Sequence, residues 1–445
     1  MSFIADKQTL QDLNLLGRFR SDSVFSLFNR TETTGGMHLL DKMFRAPMTT
    51  WVEINERSRA FKYFGQRGLS FPFTKEQIKL AEDYLGGSGS ANLLLSLVGA
   101  GRKKVLAVVL RDQAYGLMTD GIYAVILMLT GCKDLLNRIE KNAFGTDSDI
   151  PFYRELQDAR ELVAHPSLKE MLKEQREEGL ALWKVAKYDH LLRRVFAKRL
   201  RRLLDLIYQL DVYISVSAIA VSRGFNYARA LPKDIDILYI DHLRHPAIEN
   251  GIGNSLSFSS DSNMLFLTGA NMAGKSTLMK ALGISVYLAH MGFPLPAAAM
   301  SLSVRDGIYS SINMSDNLAL GYSHFYAEVL RVKAVAEAVS TKQHLLVLFD
   351  ELFKGTNVRD AYDATLAVTE ALAGYRNCQF VISTHIIEVG TALRESYRNI
   401  QFAYLPTVMT GRTASYPYRL EGGVTSDRHG MMIIRKEKII EMILS

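Results

Sequence analysis

The chain has 445 residues, 48% hydrophobic and 22% charged, which is enough for two to four domains with cores of their own and is an ordinary composition for a soluble globular protein. Its net charge of +7 lies wholly before residue 241, where 35 Lys/Arg face 28 Asp/Glu, against 18 and 18 afterwards; this surplus is compatible with nucleic acid without demanding it. Two cysteines, Cys132 and Cys378, exclude a disulfide framework and make a reducing cytoplasm the expected home.

Residues 1–20 form a short amphipathic lead in which Asp6 interrupts any apolar core of signal-peptide length, so export by that route is not expected. Next, Leu39, Leu40, Met43 and Phe44 fall at helical spacing and stop before Pro47, and a second helix is predicted from about Thr50 through Ile54. By pattern alone this is a helical hairpin. The same stretch resembles the opening of the core-and-lever domain of the MutS family, through Leu27-Phe28, the turn Thr31 to Gly36, Leu39-Leu40, Pro47 and Ile54 to Arg57 in that order. It departs at His38, where the family usually has a basic residue.

Thr74-x-x-Gln77 predicts a helix start, and Gly86 to Ser90 a flexible joint. Long helices should then run to about Arg229, broken at Gly145 to Pro151, the tip of a helical arm. The apolar runs Val105–Leu110 and Ile122–Leu129 fall far short of the roughly 20 residues that span a bilayer. They read as buried helix, and no membrane partner is expected. From Lys184 to Arg202 basic residues dominate, with Leu192, Phe196, Leu203 and Ile207 near one helical face and Arg194, Lys198, Arg201 and Arg202 mostly on others. Such a helix can track DNA phosphates. A solvated face or a subunit contact is the equal alternative.

After Pro232 the pattern turns strand-like, with Ile235, Ile237 and Tyr239 alternating, which divides the chain into 1–234 and 235–445. Apolar Met264 to Leu267 read as a buried strand and the text after Ser276 as a helix; between them stands Gly269-x-x-x-x-Gly274-Lys275-Ser276, a phosphate-binding loop in the strand-loop-helix context it requires. Glycines let backbone N–H groups curl around phosphate oxygens, the helix N-terminus adds positive potential, Lys275 reaches the outer phosphates and Ser276 is placed to ligate Mg²⁺. Leu345 to Phe349 then form a second buried strand ending in Asp350-Glu351: Asp350 to share the Mg²⁺ shell with Ser276, Glu351 to polarise an attacking water. Together these predict an ATPase using ATP and Mg²⁺, with Lys275 and Glu351 in catalytic roles.

The MutS resemblance extends through this half. Its loop text, Thr-Gly-Pro-Asn-Met-x-Gly-Lys-Ser-Thr, meets Thr268, Gly269, Ala270, Asn271, Met272, Ala273, Gly274, Lys275, Ser276 and Thr277, departing only at Ala270. The resemblance implies that Asn271 reaches the terminal phosphate or water and that Arg244-His245-Pro246 positions the adenine side, with His245 in the pocket. It also implies that Ser323, in a segment where Gly321-Tyr322-Ser323 feeds Phe325 and Glu328, reaches the nucleotide of an opposite subunit. Gly355-Thr356-Asn357 resembles a loop at the same interface. In the ABC-related group a histidine after a strand such as Phe380 to Thr384 senses the terminal phosphate, which makes His385 the candidate. Tyr418 to Gly423 and Gly430 to Ile434 are similar to the family's late strands and closing helix.

The expectation is an α-helical core/lever domain over 1–234 followed by an α/β P-loop NTPase domain of the ABC-related type over 235–445. The core-and-lever text begins by residue 24, so a truncated form is expected, without the mismatch-reading N-terminal domain, connector or full clamp. The function expected is that of a homodimeric, DNA-binding ATPase acting on branched, damaged or mismatched DNA, with a repair protein as a further partner. An ATP-gated protein-interaction switch is the alternative, and a transporter-linked ATPase head lacks its usual signature here.

Overall fold

A computed structural model describes residues 2–17, 22–87, 93–110, 113–141, 150–270, 272–312, 324–410, 413–425 and 442. The chain folds as two compact units, one of 1–27, 44–58 and 220–445, the other of 28–43 and 59–219. The division therefore differs from the single boundary at 234/235. Residues 1–27 and 44–58 fold with the C-terminal part, because Ile4–Ala5 pairs with the strand Gly307–Ser311 and Tyr287 donates to the carbonyl of Phe44 at 2.5 Å.

The larger unit is built on a seven-stranded sheet, in the order Ile4–Ala5, Gly307–Ser311, Leu345–Asp350, Gln379–Ser383, Met264–Gly269, Ile400–Leu405, Glu421–Gly422. All neighbours are parallel except the last pair. The central strands are apolar runs because both faces are covered. On one face Phe266, Val347, Phe349, Phe380 and Ile382 pack with Val335, Val339, Leu372, Val389 and Leu393 of three helices. The alternate residues turn to the helix Lys275–His290, where a Cβ added at Gly283 would lie 2.9 Å from Leu348. A four-stranded sheet, Arg229–Leu231, Ala299–Ser303, Leu238–Leu243 and Asn254–Phe258, stands in the same unit.

The expected strand beginning at Ile235 starts only at Leu238: Lys233–Ile235 is a 3₁₀ turn and Asp236 is left-handed, with φ of 50°. The reason is electrostatic. Arg305 is 1% exposed, and Asp236 turns inward to pair with it at 2.7 Å. Burial also pushes the pKa of His290 down to about 4, and its neutral ring accepts from the amide of Arg305 at 3.2 Å.

The smaller unit is helical. Thr34–Arg45 and Trp51–Arg67 form where the apolar spacing predicts, and Thr74 opens Lys75–Gly86 with a full capping box to Gln77. The joint at 88–90 and most of the break at 145–151 lie outside the described residues. Ile122, Val125, Ile126 and Leu129 are buried as expected, but Leu127 and Val105 are exposed. Ala114–Glu140 and Ala197–Arg223 are long and apolar enough to cross a membrane by length and composition, and 56% and 72% of those windows is buried inside the protein, as in core helices.

The basic run Lys184 to Arg202 is not one helix. Leu182–His190 passes into a π turn, Leu191–Val195, before Ala197–Arg223 begins. Within that turn Arg193 pairs at 2.9 Å with buried Asp189, which accepts from the Tyr84 hydroxyl at 3.0 Å. Farther along, buried Asp211 accepts from the amides of Glu32 and Thr33 and the hydroxyl of Thr33, at 2.7 to 3.0 Å. Asp211→Ala leaves those donors unpaired and should cost about 3 kcal/mol in urea unfolding, against about 1 kcal/mol for the exposed cap Thr74→Ala.

Candidate functional site

The carboxyl ends of three adjacent parallel strands converge, which is where open α/β sheets bind ligands. Met264–Gly269 delivers the loop, Leu345–Asp350 the acid pair, and Gln379–Ser383 leads to His385. Register fixes their levels, since Asp350 pairs with Ser383 and Ser383 with Leu267.

The loop is shaped by left-handed backbone. Gly269 has φ of 132°, and a Cβ there would stand 2.8 Å from the carbonyl oxygen of Leu405; Gly274 has φ of 102°. Gly274 is also the N-cap of Lys275–His290 and supplies no side-chain cap, so the first-turn N–H groups lack the usual side-chain acceptor. Lys275 is 4% exposed, and its Nζ donates to the carbonyls of Gly269 at 2.8 Å and Ala270 at 3.2 Å. Burial lowers its pKa, while Asp350 and Glu351 act in the opposite sense. The result is a desolvated cation at an uncapped helix start, an environment that favours an anion.

Opposite stand the acids. Ser276 Oγ donates to Asp350 Oδ2, while Asp350 Oδ1 is buried without a hydrogen-bond partner among the described residues. Glu351 is left-handed, with φ of 55°, and its amide donates to the carbonyl of Ser383 at 2.8 Å. His385 hydrogen-bonds Glu351 Oε1, and Lys354 lies 3.3 Å from Oε2. The His385 contact, with Lys354 adding to it against some burial, holds the Glu351 carboxyl down at about 2. It is thus ionised at neutral pH and suited to orient a water rather than to keep its proton.

A cleft of about 500 Å³ runs from Lys275, Ser276 and Thr277 past Glu351 to Arg244, His245 and Tyr418, a size suited to a nucleotide. His245 has its pKa lowered by burial and by Lys280, so it presents a neutral ring. Tyr418 was not singled out as a site residue by the sequence. It comes from the far end of the chain and is held because Asn254 Nδ2 donates to its carbonyl at 2.9 Å and Leu420 N donates back to Asn254 Oδ1 at 2.7 Å. Ile248 and Ile252 add apolar wall to the same cleft.

The residues present fit both implied groups. ATP finds a cleft, an uncapped helix start and Lys275. Mg²⁺ finds the Ser276 hydroxyl and the Asp350 carboxylate that it bonds, an all-oxygen donor set. Among the described residues no group of three or more His, Cys, Asp or Glu could hold a metal.

The remaining expectations divide. Gly269, Ala270, Met272, Ala273, Gly274, Lys275, Ser276, Thr277, His245, Asp350, Glu351 and His385 are placed within this one unit, all but Gly269, Asp350 and His385 directly lining the cleft. Asn271 and Ser323 lie outside the described residues, as do Gly430 to Ile434. Asn357 accepts from the amide of Asp360 at 2.9 Å and serves as a helix N-cap. In the helical unit Arg194, Lys198, Arg201 and Arg202 are exposed as expected. Their neighbours are engaged: Lys184 pairs with Glu174, Lys187 with Glu170, Arg193 with Asp189 and Arg199 with Glu161. Arg202 lines a groove that also holds Glu155, Asp158, Glu161 and Asp205.

Residues 265–445 match the family described as MutS domain V. The C-terminal part of the chain is similar to the MutS family. Over 232 residues the chain is 31% identical to the DNA mismatch repair protein MutS of Anaplasma phagocytophilum, covering 52% of this chain and 28% of that one. It is 28% identical to the DNA mismatch repair protein spellchecker 1 of Drosophila melanogaster over 257 residues, covering 56% and 28%. A 27% match to the DNA mismatch repair protein MutS of Streptococcus sanguinis reaches 307 residues, 68% of this chain and 34% of that relative. The chain thus spans about a third or less of the length of these MutS relatives. The MutS domain V match begins at Leu265 and takes in the phosphate loop, both acids and His385, but not His245.

The Glu351 and His385 contact has a pH signature. A carboxyl held near 2 against an ordinary 4.5 contributes stability above pH 4.5 that is lost as pH falls towards 2. Wild type should therefore lose more stability between pH 5 and pH 2.5 than His385→Ala does, so that the gap between their urea midpoints narrows with acid.

Proposed function

We propose that the protein is an ATPase that binds DNA in an ATP-dependent manner as a homodimer, acting on branched, damaged or mismatched DNA, with its α/β unit a P-loop NTPase of the ABC-related type and its helical unit the core/lever. The observation that carries this reading is the convergence at one cleft of an uncapped helix start, desolvated Lys275, the Ser276–Asp350 pair and the Glu351–His385 pair. The names of the MutS relatives support DNA repair as the setting, and a cytoplasmic home and a repair-protein partner go with it.

In this reading the triphosphate lies over the loop amides and draws Lys275 off the carbonyls of Gly269 and Ala270. Ser276 and Asp350 would hold Mg²⁺, which supplies charge neutralisation at the phosphates. Glu351 orients the attacking water, and His385 holds Glu351 and faces the terminal phosphate. His245 and Tyr418 enclose the base. Ser323 of a second copy completes the site, so ATP draws two copies together and hydrolysis releases them.

A second reading, an ATP-gated switch that binds another protein, is favoured by one observation: the carboxylates paired with Lys184, Lys187, Arg193 and Arg199 cancel much of the basic run. Salt separates the two. DNA affinity that falls steeply between 50 and 200 mM salt, and about 10-fold in Lys198→Glu/Arg202→Glu, supports the first. Affinity indifferent to both supports the second.

Glu351→Gln should keep ATP binding while steady-state turnover falls about 100-fold or more. Turnover equal to wild type would remove Glu351 from its role. Mixing Ser323→Ala with Lys275→Ala chains should restore part of the activity that each lacks alone, because one of the two shared sites is then intact; a monomer in ATP at full turnover would end the dimer account.

A further inference from the structure

Glu328, on the helix His324–Ser340, has no part in the site as assembled above. It is 5% exposed and lines a hollow of about 10 Å³ with Ser311, Ile312, Asp350, Glu351 and Lys354. That volume is close to the minimum that one water molecule needs, and a buried water needs about two to four polar partners. The hollow supplies them.

Asp350 spends Oδ2 on Ser276, and its buried Oδ1 accepts nothing among the described residues. No described side chain donates to that oxygen, and a water in the hollow can; its second proton then goes to another acceptor that lines the hollow, the Glu328 side chain. Lys354, 3.3 Å from Glu351 Oε2, sets one positive charge beside the three acids. Ile312, which also lines the hollow, is held by Asp12, whose Oδ2 accepts from its amide at 2.9 Å and from Ser310 Oγ at 2.7 Å.

We propose that Glu328 is a positioning residue, which through one water held between its carboxylate and Asp350 Oδ1 fixes the rotation of the Asp350 carboxylate for a divalent cation. The proposal rests on the Mg²⁺-ATP reading above. Outer-shell partners of a metal ligand commonly carry about 10-fold to 100-fold in metal affinity.

The test is a Mn²⁺ titration of the full chain with a non-hydrolysable ATP analogue, free Mn²⁺ being read by electron paramagnetic resonance. Metal-free binding of a fluorescent ATP analogue is followed in parallel. Glu328→Ala should weaken Mn²⁺ binding about 10-fold or more while metal-free nucleotide binding stays within about 2-fold. Glu328→Gln, whose carbonyl still accepts from the water, should recover most of the loss. Glu328→Met keeps the side-chain length and takes the place of the alanine variant where that chain does not fold. Unchanged Mn²⁺ affinity in the alanine or methionine variant overturns the proposal, as does a glutamine variant as weak as either. A wild-type chain that binds neither Mn²⁺ nor nucleotide overturns the Mg²⁺-ATP reading itself, a result distinct from an indifferent variant.

Discussion

A lysine ammonium kept from water at the mouth of a helix is the constraint on which the rest turns. Lys275 is almost wholly buried, and its Nζ donates to neutral carbonyls of its own loop. Neutral oxygens compensate a desolvated cation only in part, and the pKa of Lys275 is accordingly lowered. The arrangement is sustained by the parallel sheet beneath it, whose fully buried strands hold the loop and the acids at fixed levels. An anion at that point would set full negative charge where partial charges now stand.

The acids opposite divide their work by environment. Asp350 ends a strand with one oxygen committed to Ser276 and the other buried without a hydrogen-bond partner among the described residues. Glu351 follows in left-handed backbone, which turns it out of the strand direction and towards His385 and Lys354. Two adjacent acids thereby turn to different partners, Asp350 to Ser276 and Glu351 to His385 and Lys354.

Much of this is written locally in the chain. The apolar strand, the glycine loop, the Asp-Glu pair and the histidine after a further strand each declare themselves within a few residues, and the Thr74–Gln77 cap and the hairpin around Pro47 do so as well. What escaped notice is long-range. Tyr418 reaches the cleft only because Asn254, 164 residues away, clasps its backbone. Asp236 leaves the strand expected from Ile235 because Arg305, far along the chain, needs a buried counter-charge. The π turn at Leu191–Val195 hides from helical periodicity for the same reason: the pull of Asp189 and Tyr84 on Arg193 has no signature in spacing. Placing the first residues with the C-terminal part is likewise a matter of pairing, not pattern.

That pairing reaches beyond architecture. Ile4–Ala5 closes the open side of Gly307–Ser311, and Asp6 and Asp12 tie the following helix down through Arg331, Ser310 and Ile312. A bare parallel edge of this kind is a template for self-association. Ile4–Ala5 covers that edge, so the strand that begins the sheet also shields the backbone groups of Gly307–Ser311 from a second chain.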